Sequence, residues 1–148
     1  MSVQTEKLLV LKVFCMGRAI LEKKHNISVA LNMAETAIQK FVICKDNQST
    51  QRLLFYLLLK AEILRETPEA LEIRARAREL SQQIGSRIFD YFMAVEDITS
   101  RARFSSWTSG YEAACRTLEV NRYQLTEKEN RFLREVTLKD MLEKHEVE

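Results

Sequence analysis

Residues 70–87 (ALEIRARARELSQQIGSR) carry the pattern that most restricts how this chain can fold. Their apolar residues recur at three- and four-residue steps, and this stripe consists of Ala70, Ile73, Ala77, Leu80 and Ile84. Such spacing places all of these side chains on one face of an α-helix. Alanine at two of the positions leaves room for a neighbouring backbone to approach. The segment therefore predicts an amphipathic helix packed closely against another helix.

Helical patterns also cover most of the remaining chain. They predict seven helices, at residues 5–25, 28–44, 51–66, 68–84, 87–104, 111–118 and 127–144. The third of these contains the run LLFYLLL (53–59), which is apolar on every side and is therefore expected to be the most deeply buried. Residues 45–50 (KDNQST) are predicted to form a loop, because their side chains favour turns.

Several helix ends are marked by residues that satisfy exposed backbone groups. The predicted N-caps are Ser28, Thr67, Ser86 and Thr126. Pro68 strengthens the second of them, because its missing N–H is harmless in the first turn. Glu129 completes a capping box with Thr126. Gly85 predicts the end of the fourth helix, because glycine readily adopts the left-handed conformation found there.

The composition is typical of a folded helical domain. The 148 residues include three glycines and one proline, with 46% hydrophobic and 30% charged residues. No linker or low-complexity segment interrupts the pattern, so we expect a single all-α domain over residues 1–148. The formal net charge of +2 gives no support for a nucleic-acid partner.

The sequence also indicates a cytoplasmic, reducing location. No apolar run is long enough to span a membrane, and residues 8–16 lack the order of a secretory signal. The cysteines are Cys15, Cys44 and Cys115, an odd number at wide spacing without a metal-binding pattern. We therefore expect reduced thiols, no metal, no cofactor and no membrane partner.

Two further segments match the opening helix at a fixed distance. ALNMAETA (30–37) lies forty residues upstream of Ala70, and GYEAACRT (110–117) begins forty residues downstream of it. Each follows an apolar helix. This arrangement predicts antiparallel helix hairpins in about three repeat units, followed by a C-terminal capping helix. A plain helical bundle is the alternative.

A small residue in the first helix and Ala-x-x-large-x-x-Ala in the second resemble the tetratricopeptide repeat. LLLKAEILRETPEALEIRARARELSQQIGSR is similar to the longer, roughly forty-residue repeats of bacterial regulators of the maltose-activator type. The resemblance covers about residues 8–120. Arg74 occupies the position where the repeat has a large aromatic residue.

The resemblance implies that the first helix of each pair lines a concave groove. The partner-binding residues would then be Phe14, Arg18, Phe55, Leu58, Glu62, Arg65, Phe89, Phe92 and Glu96. Such a groove suits a helical or extended apolar segment of another protein, so the predicted function is a protein–protein interaction module: an adaptor, regulator or chaperone subunit. Leu58→Glu would then weaken binding without unfolding the chain. Alternatively, the aromatic residues form the core or are covered by the seventh helix.

Two other functions remain open at this point. Arg18 and His25 have the spacing of the catalytic pair in HEPN ribonucleases, and residues 28–41 resemble a helix of those domains. That resemblance implies a histidine acting on a ribose hydroxyl and an arginine acting on the phosphate. The other alternative is a self-associating helical bundle, such as a homodimer. No other catalytic pattern is evident, so we predict that the chain is not an enzyme.

Overall fold

The computed structural model describes residues 2–22, 27–101, 107–121 and 124–134. This part of the chain forms seven helices and no strand: α1 (Val3–Glu22), α2 (Ile27–Val42), α3 (Asn47–Ile63), α4 (Pro68–Gln83), α5 (Ile88–Arg101), α6 (Trp107–Thr117) and α7 (Glu127–Arg134). The predicted all-α class is confirmed. The predicted continuation of the seventh helix to residue 144 lies outside the described residues.

Most of the predicted caps are confirmed. The Thr67 hydroxyl accepts a hydrogen bond from the Ala70 N–H at 3.3 Å. Gly85 has a φ of 64°, in the left-handed region. Thr126 and Glu129 form the reciprocal capping box, with both side-chain-to-backbone hydrogen bonds at 3.0 Å.

Three helix starts were misplaced, and one of them is that of α6, which begins at Trp107 and not near residue 111. Helix α3 begins at Asn47, because the Asp46 carboxylate accepts a hydrogen bond from the Ser49 N–H at 2.8 Å. Most of the predicted loop 45–50 is therefore the first turn of this helix. Ser28 lies inside α2, which already begins at Ile27, so it is not the cap. Turn-favouring side chains also favour helix N-termini, and the sequence pattern did not separate the two roles.

Helix α3 is the central helix of the molecule. It packs against α1, α2 and α4, and its residues 53–59 are all buried, as the sequence predicted. The expected hairpin pairs α3 with α4 and α5 with α6 pack against each other. Helix α2 touches its expected partner α1 only slightly and packs mainly against α3. Helix α7 packs against α1 and α6 at the C-terminal side. The fold is thus an all-α arrangement of packed helix pairs with a final covering helix.

Helix α1 connects the two halves of this arrangement. Besides α3, it contacts α5, α6 and α7, which lie far from it in the sequence. Its side chains Val10, Leu11 and Val13 are completely buried. The tetratricopeptide resemblance is not tested by this packing and stays a prediction.

A buried carboxylate ties the start of α1 to the start of α5. Glu6, only 6% exposed, accepts hydrogen bonds from the Ser86 hydroxyl at 2.6 Å and from the Arg87 N–H at 2.7 Å. The Ser86 hydroxyl in turn accepts a hydrogen bond from the Ile88 N–H at 3.1 Å, as its predicted cap role requires. A negative charge is favourable at this helix end.

Glu6→Ala is expected to lower the free energy of unfolding by about 1–3 kcal/mol, because it removes a buried acceptor that serves two part-buried donors. Chemical denaturation measures this loss. Asp90→Ala is the matched control, since Asp90 also lies in the first turn of α5 but is 70% exposed; we expect a change within about 0.5 kcal/mol. Equal effects of the two changes would contradict the capping role of Glu6.

A buried charge cluster and a surface groove on opposite sides of α3

The structure places the apolar residues of the predicted groove in the core. Phe14, Phe55, Leu58 and Phe92 are 0–5% exposed, and Phe89 is partly buried against the same core. They belong to helices whose apolar faces pack toward one another, with α1 contacting both α3 and α5. In this structure these aromatic and leucine side chains therefore form the interior and not an open surface.

The charged residues of the same prediction do come together. Arg18, Glu62, Arg65 and Glu96 meet at the junction of α1, α3 and α5, where α4 adds Arg74. We call these five residues the Glu62 cluster. Arg74 and Glu96 form its closest ion pair at 2.6 Å, and both side chains are at least 84% buried. Arg65 approaches Glu62 at 3.6 Å.

Arg74 is the member of the cluster that sequence reasoning did not select as a site residue. It stands where the repeat pattern has a large aromatic residue, and that departure was the available signal. An arginine at a packing position needs a buried partner for its charge. The structure supplies this partner as Glu96, from the following helix.

Glu62 is the least exposed carboxyl of the described residues, at 2%. Burial raises the pKa of this carboxyl and Glu96 adds to the rise, whereas Arg65, Arg74 and Arg18 act in the opposite direction. Helix α1 leaves room for the side chain through Gly17. A Cβ atom on this glycine would lie 2.5 Å from the Glu62 Cγ.

A shallow groove of about 230 Å³ lies on another side of α3, between α2 and α4. We call it the α3 groove, and its lining consists of Glu35, Ile38, Leu57, Lys60, Glu69, Glu72, Ile73 and Arg76. The apolar residues of the lining are buried. The charged residues lie around the rim, and their side chains are exposed to different extents. The volume is below the 300–1,000 Å³ typical of small-molecule pockets, so the groove suits individual side chains of a larger partner.

Lys60 joins the two walls of the α3 groove. Its Nζ lies 2.8 Å from Glu35 on α2 and 3.2 Å from Glu69 on α4. Burial alone would lower the pKa of this ammonium, but the hydrogen bonds to the two carboxylates raise it. The Lys60 hydrogen bond also lowers the pKa of Glu35, and the positive charge of Arg76 across the groove lowers it further. Lys60 therefore stays charged and already has two anionic partners.

The other predictions concern the pair Arg18 and His25, the three cysteines and metal binding. His25 lies outside the described residues, so the structure does not describe the spacing between Arg18 and His25. Cys15 and Cys115 are buried free thiols, Cys44 is a partly buried one, and burial raises the pKa of the first two. Within the described ranges, no group of three or more His, Cys, Asp or Glu side chains is placed to hold a metal ion.

Comparison with known proteins finds no family model, no curated protein and no solved structure that matches this chain. Among the helices that the structure describes, none is long and apolar enough to cross a membrane.

Proposed function

We propose that this chain is a protein-interaction module that binds an amphipathic segment of another protein in the α3 groove. The observation that carries this proposal is the groove itself, in which charged side chains of α2 and α4 form an accessible rim. Its apolar floor consists of Ile38, Leu57 and Ile73, of which only 2–8% is exposed. A helix or extended segment placing apolar side chains on such a floor is a common form of peptide recognition. An adaptor or regulator role, as the tetratricopeptide resemblance implies, agrees with this use of the molecule.

The charges of the groove specify the partner further. The lining contains three carboxylates and two basic groups, and the ammonium of Lys60 is shared between two of the carboxylates. Glu72 is exposed on the α4 side, and Glu69 keeps 57% of its side chain accessible. The partner segment therefore carries a basic side chain next to its apolar ones, directed at the acidic side of α4.

The location proposed for this interaction is the cytoplasm. Two of the three cysteines are buried as free thiols, and this is how cysteines are commonly found in proteins of reducing compartments.

Glu72→Lys is expected to weaken partner binding by about tenfold, because it places a positive charge against the basic side chain of the partner. The test captures partners from the native cell lysate with the wild-type chain. The isolated partner segment is then titrated against each variant by calorimetry. Glu79→Lys is the matched control, since it makes the same charge change on an exposed residue of the same face of α4, two turns beyond Glu72 and outside the groove lining. Equal affinity of the two variants would contradict binding in the α3 groove.

A further inference from the structure

The Glu62 carboxyl lies in a site that compensates its charge incompletely. Its Oε1 atom is buried and has no hydrogen-bond partner among the residues that the structure describes. Within the described part of the chain, the cation paired with it is Arg65, at 3.6 Å, which is beyond the usual length of a charge-assisted hydrogen bond. A buried carboxylate needs both a close cation and hydrogen bonds to offset the loss of its hydration. This arrangement therefore favours the uncharged acid.

The neighbouring helices bring charges of both signs to Glu62. It interacts electrostatically with Arg18 of α1, Arg74 of α4, Glu96 of α5 and Arg65, which lies in the turn directly after α3. Arg74 is directed to Glu96 at 2.6 Å, so its charge is already engaged. Glu96 repels a second carboxylate. Ionisation of Glu62 therefore changes its electrostatic interactions with residues of three other helices.

The close approach of α3 to Gly17 of α1 restricts the conformations that the Glu62 side chain can adopt. The Glu62 Cγ occupies the space that a side chain at position 17 would fill, so α1 and α3 are in direct contact at this point. Arg65, whose side chain is 26% exposed, lies in the turn directly after the same helix. Turning the Glu62 side chain toward it about the Cα–Cβ bond takes the Cγ away from the contact with Gly17.

We propose that the protonation state of Glu62 controls how closely α3 packs against α1. The protonated side chain stays packed against Gly17, and loss of its proton to water draws the carboxylate toward Arg65 and loosens the contact of α3 with α1. A new charge at Glu62 also changes the electrostatic energy of the ion pair between Arg74 and Glu96. Ionisation of Glu62 therefore affects α4 and α5 as well. This inference concerns the interior side of α3 and does not depend on the α3 groove.

A pH titration of the full chain by carbon-13 NMR tests this directly, with the Glu62 carboxyl signal assigned by its absence from Glu62→Gln. We expect the pKa of Glu62 to lie above the usual glutamate range, since burial is the largest influence on it. The backbone amides of Gly17, Arg74 and Glu96 are expected to shift with the same midpoint. These shifts should vanish in Glu62→Gln and persist in the exposed control Glu79→Gln. A Glu62 midpoint within the usual range, or amides that do not follow it, would overturn the proposal.

Glu96→Gln provides a second test that leaves Glu62 in place. Removing the repelling charge is expected to lower the Glu62 pKa, and an unchanged midpoint would show that Glu62 does not sense the cluster. The direction in which stability changes with pH follows from the linkage between proton binding and folding. The native state holds a proton that the unfolded state releases above a pH of about 4.3. The wild-type chain should therefore lose stability relative to Glu62→Gln as the pH rises through the Glu62 midpoint, and a constant difference would contradict the proposal.

Discussion

Leu58→Glu is expected to abolish the cooperative fold. Leu58 is completely buried in α3, the helix that contacts α1, α2 and α4. The change removes a large apolar side chain from the core and places a carboxylate there without a partner, which costs about 4 kcal/mol or more. A domain of this size has a total stability of about 5–15 kcal/mol. Circular dichroism at 222 nm and a denaturant titration should show loss of helix or a much lower unfolding midpoint.

Leu71→Glu is the matched control for this experiment. It makes the same substitution on a helix of the same molecule, but Leu71 is 65% exposed. Its expected effect is within about 0.5 kcal/mol. If Leu58→Glu kept the wild-type unfolding midpoint, Leu58 would have to be accessible, as the sequence pattern suggested, and the burial of α3 described above would be incorrect.

Gly17→Ala is expected to destabilise the protein by up to about 2 kcal/mol, although alanine is the better helix former. In an exposed helix this change would stabilise by roughly 1 kcal/mol. Here the added Cβ would lie 2.5 Å from the Glu62 Cγ and 3.3 Å from its Cβ. Overpacking a filled interior costs about 1–3 kcal/mol, so the collision outweighs the gain in helix propensity. Thermal and denaturant unfolding of the two proteins measure the net effect.

A double-mutant cycle with Glu62→Ala isolates the cause. Removing the Glu62 Cγ relieves the closest contact, so the Gly17→Ala change should cost about 1 kcal/mol less in that background or become favourable. Additive effects of the two changes would place the origin of the destabilisation elsewhere than in the contact between α1 and α3.

The sequence predicted local structure well, because local structure depends on neighbouring residues. The caps at Thr67, Gly85 and Thr126 could be found because each involves groups three or four residues apart. The burial of the run 53–59 was predictable because no side of that helix is polar. The start of α3 was missed because Asp46 can favour a turn or a helix cap, and only the hydrogen bond to Ser49 decides which.

The candidate sites were predicted only in part. Arg18, Glu62, Arg65 and Glu96 were selected together because they occupy related positions on three helices, and they do meet in the structure. The burial of Glu62 was not predictable, since a charged residue in a helix pattern is normally expected at the surface. The α3 groove was not found from the sequence. Its walls belong to α2 and α4, the second helices of the predicted pairs, whereas the repeat resemblance placed the groove on the first helices.

The sequence by itself determined that this chain is helical, where most of its helices begin and end, and which face of each helix is apolar. These properties follow from spacing along the chain and from hydrogen bonds between near neighbours. Only the tertiary structure decided which apolar faces cover one another. Helix α1 packs against helices up to the far end of the described chain, so Leu58 and Phe92 became core, the Glu62 cluster became interior, and the surface beside Lys60 stayed open. An apolar face is the same in sequence whether another helix or solvent lies next to it, and the energy of burial decides between the two only when all the helices are in place.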